Sequence, residues 1–92
     1  EKHNALNAVM IKGFSQLLEQ LAENDQVRVL WLSSAAKHFC AGADLVWMKE
    51  MASYAWDENY RDALELGKLM HLLYHFPKPT VATIHGACYG GG

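Results

Sequence analysis

The sequence predicts an α/β fold. Three observations carry that reading: a helical apolar repeat near the start, two short β-rich runs far apart in the chain, and a long helical repeat between those runs. Two parallel strands need a crossover of this kind, and such crossovers are right-handed.

The first helix starts at Asn4 or Asn7, whose side-chain oxygen can take one of the free N–H groups of the opening turn. Met10, Phe14, Leu17, Leu18 and Leu21 recur at helical spacing and predict one apolar stripe, with Gln16, Glu19, Gln20 and Glu23 mostly off it. Gly13 weakens that helix by up to about 1 kcal/mol relative to alanine, and Asn24-Asp25 ends it. Val27-Arg28-Val29-Leu30-Trp31-Leu32 is a strand of nearly continuous apolarity, the pattern of a strand covered on both faces.

A loop, Ser33 to His38, leads into Phe39-Cys40-Ala41-Gly42-Ala43-Asp44. Asp44 is placed to cap a short helix through Leu45, Val46, Trp47, Met48 and Met51. Ser53 to Asp57 breaks the pattern, and a helix over roughly Asp57 to Phe76 follows. Its buried side is expected from Tyr60, Ala63, Leu64, Leu66, Leu69, Met70 and Leu73. Pro77 and Pro79 stop it, since neither can donate the next helical bond. Thr80-Val81-Ala82-Thr83-Ile84 is the second strand and runs into His85-Gly86-Ala87-Cys88-Tyr89-Gly90-Gly91-Gly92.

Composition narrows the function. Ninety-two residues with 51% hydrophobic content make one small α/β unit, not a disordered tail. A formal charge of −2, with eight scattered Lys and Arg residues, offers no field to hold nucleic acid. No apolar run has the length to span a bilayer as a helix. Cys40 and Cys88 form no C-x-x-C pair and suit small thiols in a reducing cytoplasm. The start at Glu1 and the stop inside a glycine run read as cuts in a longer gene, leaving any targeting segment open.

Both glycine-marked turns follow strands, where open α/β sheets bind ligands. Glycine lets backbone approach a ligand closely and turn its N–H groups outward. Two such turns at neighbouring strand ends could aim two donors at one oxygen, which is the architecture of an oxyanion hole. Taken singly each motif is weak. Ala41-Gly42-Ala43-Asp44 alone reads as a turn that starts a helix, and Gly90-Gly91-Gly92 alone reads as a tail with no lysine to make a phosphate loop.

Together the motifs resemble one family. Phe39-Cys40-Ala41-Gly42-Ala43-Asp44-Leu45, the Lys78-Pro79-Thr80-Val81-Ala82 strand entry, the second glycine run and the opening Glu1-Lys2-His3-Asn4-Ala5-Leu6-Asn7 closely resemble the enoyl-CoA hydratase/isomerase (crotonase) family. The resemblance spans residues 1–92 and implies a crotonase-like (ClpP/crotonase) spiral of β-β-α units, of which this is the N-terminal part, truncated at both ends. It implies an oxyanion hole made by the backbone N–H groups of Ala43 and Gly91, holding the thioester carbonyl of an acyl-CoA. It assigns Ala41, Ala43, Asp44, Leu45, Val46 and Gly91 to CoA and substrate binding, with Lys2 as a phosphate contact set against a reading as a solvated surface lysine. Val46 stands where related sequences often carry a lysine, which removes the warrant for a side-chain contact there.

The implied activity is hydration of the 2,3 double bond of an enoyl-CoA, with isomerase, thioester hydrolase or non-catalytic CoA binding as alternatives. The resemblance implies no cofactor beyond the coenzyme A of the substrate, and a homotrimer or dimer of trimers for the longer protein. Its acid–base glutamates would lie beyond Gly92, so the piece alone is expected to be inactive. Trp47-Met48-Lys49-Glu50-Met51 to Tyr60-Arg61-Asp62, with His71-Leu72-Leu73-Tyr74, looks most like methylglutaconyl-CoA hydratase-like sequences, which act on branched or carboxylated enoyl-CoA intermediates of leucine breakdown.

The histidines give a bland expectation. His71 and His75 share one helix face at i, i+4 but lack further ligands, so no metal site is expected. His85 and Cys88 would need demonstrated geometry to act as a nucleophilic pair, and His38 reads as a loop residue. Trp47, Trp56, Met48, Met51 and Met70 read as core or acyl-pocket lining.

Overall fold

The computed structural model describes residues 5–53 and 55–92. Lys2 and Asn4 therefore lie outside the described residues. The element order is α1 (Ala8–Glu23), β1 (Leu30–Leu32), α2 (Leu45–Met51), α3 (Trp56–Tyr74) and β2 (Thr80–Ala82). The two strands pair in parallel, with Leu30 opposite Thr80, Trp31 opposite Val81 and Leu32 opposite Ala82. The α/β reading and the parallel crossover hold.

Local chemistry sets the boundaries. Asn7 caps α1, its Oδ1 accepting the Met10 N–H at 2.9 Å. At the other end Asn24 turns the chain, its C=O accepting the Val27 N–H at 3.0 Å and its Oδ1 the Gln26 N–H at 2.9 Å. Lys78 completes that terminus, its ammonium donating to the C=O of Leu21 at 2.9 Å and to that of Asn24. A cation there meets the negative end of the helix dipole and fills orphan carbonyls.

The strands are shorter than the Val27–Leu32 and Thr80–Ile84 expected from sequence. The turn at Asn24 uses Val27, and Pro79, which has no N–H, can only accept the Leu30 N–H at 2.9 Å. Past the ladder one more bond forms, from the Thr83 N–H to the Leu32 C=O at 2.9 Å.

Helices α1 and α3 pack together, and Ile11, Leu18 and Leu69 are the largest fully buried side chains among the described residues. Each such burial is worth about 1.5–3 kcal/mol. The stripe on α1 differs from the expected one: Ile11, Ser15 and Leu18 are buried, while Leu17 is half-exposed. Helical geometry places Ile11, Ser15 and Leu18 at i, i+4 and i+7, one face, and Leu17 falls on its margin. On α3 only Leu69 is buried; Leu66 and Leu73 pack against the core, whereas Tyr60, Ala63, Leu64 and Met70 are exposed.

The expected cover on both faces of the first strand is also corrected. Leu30 is buried, Trp31 is 67% exposed and β2 is exposed throughout. Side chains alternate along a strand: in β1 the side of Leu30 joins the core of α1 and α3, while neither side of β2 is covered by a described element.

Candidate functional site

The two glycine turns meet at the ends of the strands. Beyond β1 and β2 the backbones stay paired: the Phe39 N–H donates to the His85 C=O at 3.0 Å, the Cys40 N–H to the Ala87 C=O at 3.2 Å, and the Tyr89 N–H to the Cys40 C=O at 3.0 Å. These bonds set Cys40 opposite Cys88 in a parallel bridge. Both thiols are free.

At the first turn Gly42 takes φ +87°. Its C=O accepts the Leu6 N–H at 2.6 Å, and the Asp44 N–H donates to the Leu6 C=O at 2.6 Å, so Leu6 pairs with Ala43. In a trans peptide the N–H points opposite to the preceding C=O. The Ala43 N–H is therefore directed away from Leu6, and among the described residues it meets no acceptor. Asp44 then caps α2, its Oδ1 accepting the Trp47 N–H at 3.0 Å.

At the second turn Gly90 takes φ +53°, and the Gly92 N–H closes onto the Tyr89 C=O at 2.9 Å. Gly91 sits at the corner of that turn. Its N–H takes no part in the closing bond and meets no acceptor among the described residues. The turns are in contact: a Cβ on Gly90 would stand 3.4 Å from the Gly42 Cα, and one on Gly42 would stand 3.6 Å from the Tyr89 Cβ. Each of these two neighbouring glycines is thus followed by an amide that meets no acceptor among the described residues.

A cavity of about 370 Å³ opens beside the second turn. Gly91 and Gly92 form part of its wall, with Leu6, Met10, Phe14, Phe39, Cys40 and Met70 among the rest; Ala43 is not in the lining. The Met70 methyl lies 3.6 Å from where a Cβ on Gly91 would be. Among the described residues no carboxylate lines this cavity.

The other residues named from sequence divide clearly. Ala41 is half-buried, Ala43, Leu45 and Val46 are exposed, and Asp44 is buried with its carboxylate committed to the helix cap. Trp47 is core and Met51 packs against it, but Met48 is half-exposed and Trp56, stacked on Tyr60 at 5.2 Å, is 74% exposed. His71 and His75 are neighbours, ring centroids 4.3 Å apart. Among the described residues no three His, Cys, Asp or Glu side chains gather as a metal site.

Sequence reasoning missed how His38 and His85 fasten the turns. The Ala87 N–H donates to His38 Nδ1 at 2.9 Å, and His85 Nε2 lies 2.7 Å from the Ala36 C=O, where only a ring N–H can donate. His85 is 49 residues from its partner, a contact with no periodic signature.

The chain matches known proteins along its whole length. A family model described as enoyl-CoA hydratase/isomerase covers residues 1–92. The crystal structure of an enoyl-CoA hydratase from Shewanella pealeana superposes with a TM-score of 0.95 at 46% identity, covering 98% of this chain and 34% of that one. The mouse mitochondrial enoyl-CoA hydratase domain-containing protein 2 is 41% identical over 90 residues, 97% of this chain and 29% of the mouse protein. The peroxisomal Δ(3,5)-Δ(2,4)-dienoyl-CoA isomerase of Arabidopsis thaliana is 33% identical over 98 aligned residues, 97% of this chain and 35% of the plant protein. This chain spans about a third of the length of these relatives. With a family match across every residue and a near-coincident backbone, the chain belongs to the enoyl-CoA hydratase/isomerase family, in the N-terminal part of its crotonase-like α/β fold.

Proposed function

We propose that this chain is the acyl-CoA-binding part of an enoyl-CoA hydratase, with the Ala43 and Gly91 amides as the oxyanion hole. The observation that carries the reading is the contact between the Gly42 and Gly90 turns, each followed by an amide without an acceptor among the described residues. When water adds to an enoyl thioester, the carbonyl oxygen gains enolate charge. Fixed N–H donors favour that charged form over the neutral ester, so they lower the barrier and not only the binding free energy. The loss of one such donor in other enzymes costs about 2.7–4 kcal/mol.

The backbone of Ala41, Ala43, Asp44, Leu45 and Val46 carries the CoA contacts in this reading, and Lys2 the phosphate contact. Asp44 contributes through its main chain, since its side chain caps α2. No described carboxylate lines the apolar cavity beside Gly91, and this reading gives the cavity no part in proton transfer. The acid–base carboxylates then come from sequence outside this chain, and residues 1–92 alone turn nothing over. The longer protein assembles as a homotrimer or a dimer of trimers.

Isomerisation is the second reading, favoured by the similarity to a dienoyl-CoA isomerase. The two share the enolate and differ in where the proton goes. Incubating the full-length protein with a 2-enoyl-CoA tests both. Loss of the conjugated thioester absorbance with addition of water supports hydration. A shifted double bond at unchanged mass supports isomerisation, and no conversion of any enoyl-CoA contradicts both. Faster turnover of branched or carboxylated enoyl-CoA than of linear substrates would place the protein with the methylglutaconyl-CoA hydratase-like sequences.

A further inference from the structure

We propose that Cys40 and Cys88 form a peroxide-oxidisable thiol pair, joined reversibly as a disulfide, that sets the geometry of the two glycine turns. The consequence for activity rests on the function proposed above; the thiol chemistry does not.

Register brings the pair together. The Cys40 N–H and C=O bond to the residues on either side of Cys88, so the two cysteines face each other across a parallel bridge. Side chains at paired positions lie on the same face of the ladder. Neighbouring strands run about 4.7–4.9 Å apart, inside the roughly 4.4–6.8 Å Cα separation that disulfides span. Both sulfurs are present as thiols.

Burial divides the roles. Cys88 is half-buried and Cys40 is 5% exposed, so peroxide reaches Cys88 first. The Cys88 thiolate attacks one peroxide oxygen, the O–O bond breaks, and a sulfenic acid and one water result. The Cys40 thiolate then attacks the Cys88 sulfur; the S–S bond forms, the S–O bond breaks, and a second water leaves. Two thiols lose two electrons and two protons in total, and one peroxide becomes two waters.

Cys40 is positioned to transmit the change. Its Sγ accepts the Gly42 N–H at 3.4 Å, and a Cβ on Gly92 would fall 2.8 Å from the same sulfur. The sulfur thus accepts from the residue before Ala43 and leaves no room for a side chain on the residue after Gly91. Rotating it toward Cys88 withdraws the acceptor of the Gly42 amide and changes the space beside Gly92. Each cysteine also stands three residues before one of the two proposed oxyanion amides.

The test uses the full-length protein treated with hydrogen peroxide. A Cys40–Cys88 cross-linked peptide, lighter by two hydrogens, is expected by mass spectrometry. Turnover of an enoyl-CoA should fall by about tenfold or more, in keeping with a displaced oxyanion donor, and return with dithiothreitol. Cys88→Ser should form no cross-link and keep its turnover through peroxide treatment. Two thiols that stay open to alkylation, or that oxidise singly without joining, would overturn the proposal. So would a cross-link that changes neither turnover nor hydrogen exchange in residues 39–44 and 85–92. A reduced protein with no turnover counts against the acyl-CoA reading alone, because the cross-link and the exchange change are read by mass in the same sample.

Discussion

His38 Nδ1 accepts the backbone N–H of Ala87 at 2.9 Å, and this bond ties the loop before the first glycine turn to the strand end before the second. Together with His85 Nε2 on the Ala36 C=O and the Phe39 N–H on the His85 C=O, it holds the two segments in register just ahead of the candidate oxyanion amides. His38→Ala strands the Ala87 N–H in a partly buried position and should cost about 1–3 kcal/mol. His38→Asn offers an oxygen near the place of Nδ1 and should recover much of that loss. Urea unfolding followed by circular dichroism measures both. Equal midpoints for the wild type and the alanine variant would contradict the fastening role.

Gly42 has φ +87°, and a side chain there would point at the Tyr89 Cβ. An L-residue in this left-handed conformation costs about 1–2 kcal/mol. Gly42→Ala should therefore destabilise by that amount and, in the full-length protein, lower kcat more than it raises KM. Steady-state kinetics beside a thermal melt separates the two effects. A rise in KM alone would mean that the turn only binds CoA.

Lys78 fills carbonyls at the C-terminus of α1. Lys78→Met keeps the aliphatic stem and removes the donor. The loss of hydrogen bonds from a charged group should cost about 1.5–3 kcal/mol. The denaturant midpoint should fall at low and at moderate salt alike, because the lost bonds are short and direct and not a long-range field.

Leu18 is 1% exposed and Leu17 is half-exposed on the same helix. Leu18→Ala should cost about 2–5 kcal/mol as a core truncation. Leu17→Ala should change stability by about 0.5 kcal/mol or less, as a surface substitution. Chemical unfolding of the two variants checks the face of α1 directly.

These substitutions also mark what the sequence could convey. Periodicity located both long helices; the Asp44 cap was readable and the first cap was narrowed to Asn4 or Asn7, because a short polar side chain before an apolar repeat has few other uses. The face of α1 was harder: Leu17 and Leu18 are equally apolar, and only the position of α3 decides which is buried. Strand length depended on partners, since Val27 was lost to the Asn24 turn and Pro79 could not extend the ladder backward. The glycine turns stood out because glycine takes positive φ freely, as Gly42, Gly86 and Gly90 do here. The His38 and His85 contacts left no trace in the sequence, as they join segments nearly fifty residues apart without any repeat.

The most direct test of the oxyanion hole is a crystal structure of the full-length protein with a non-turned-over acyl-CoA thioester bound. The expected result is a thioester oxygen about 2.7–3.1 Å from the main-chain nitrogens of both Ala43 and Gly91. An oxygen bonded to only one of them, or to neither, would contradict the account.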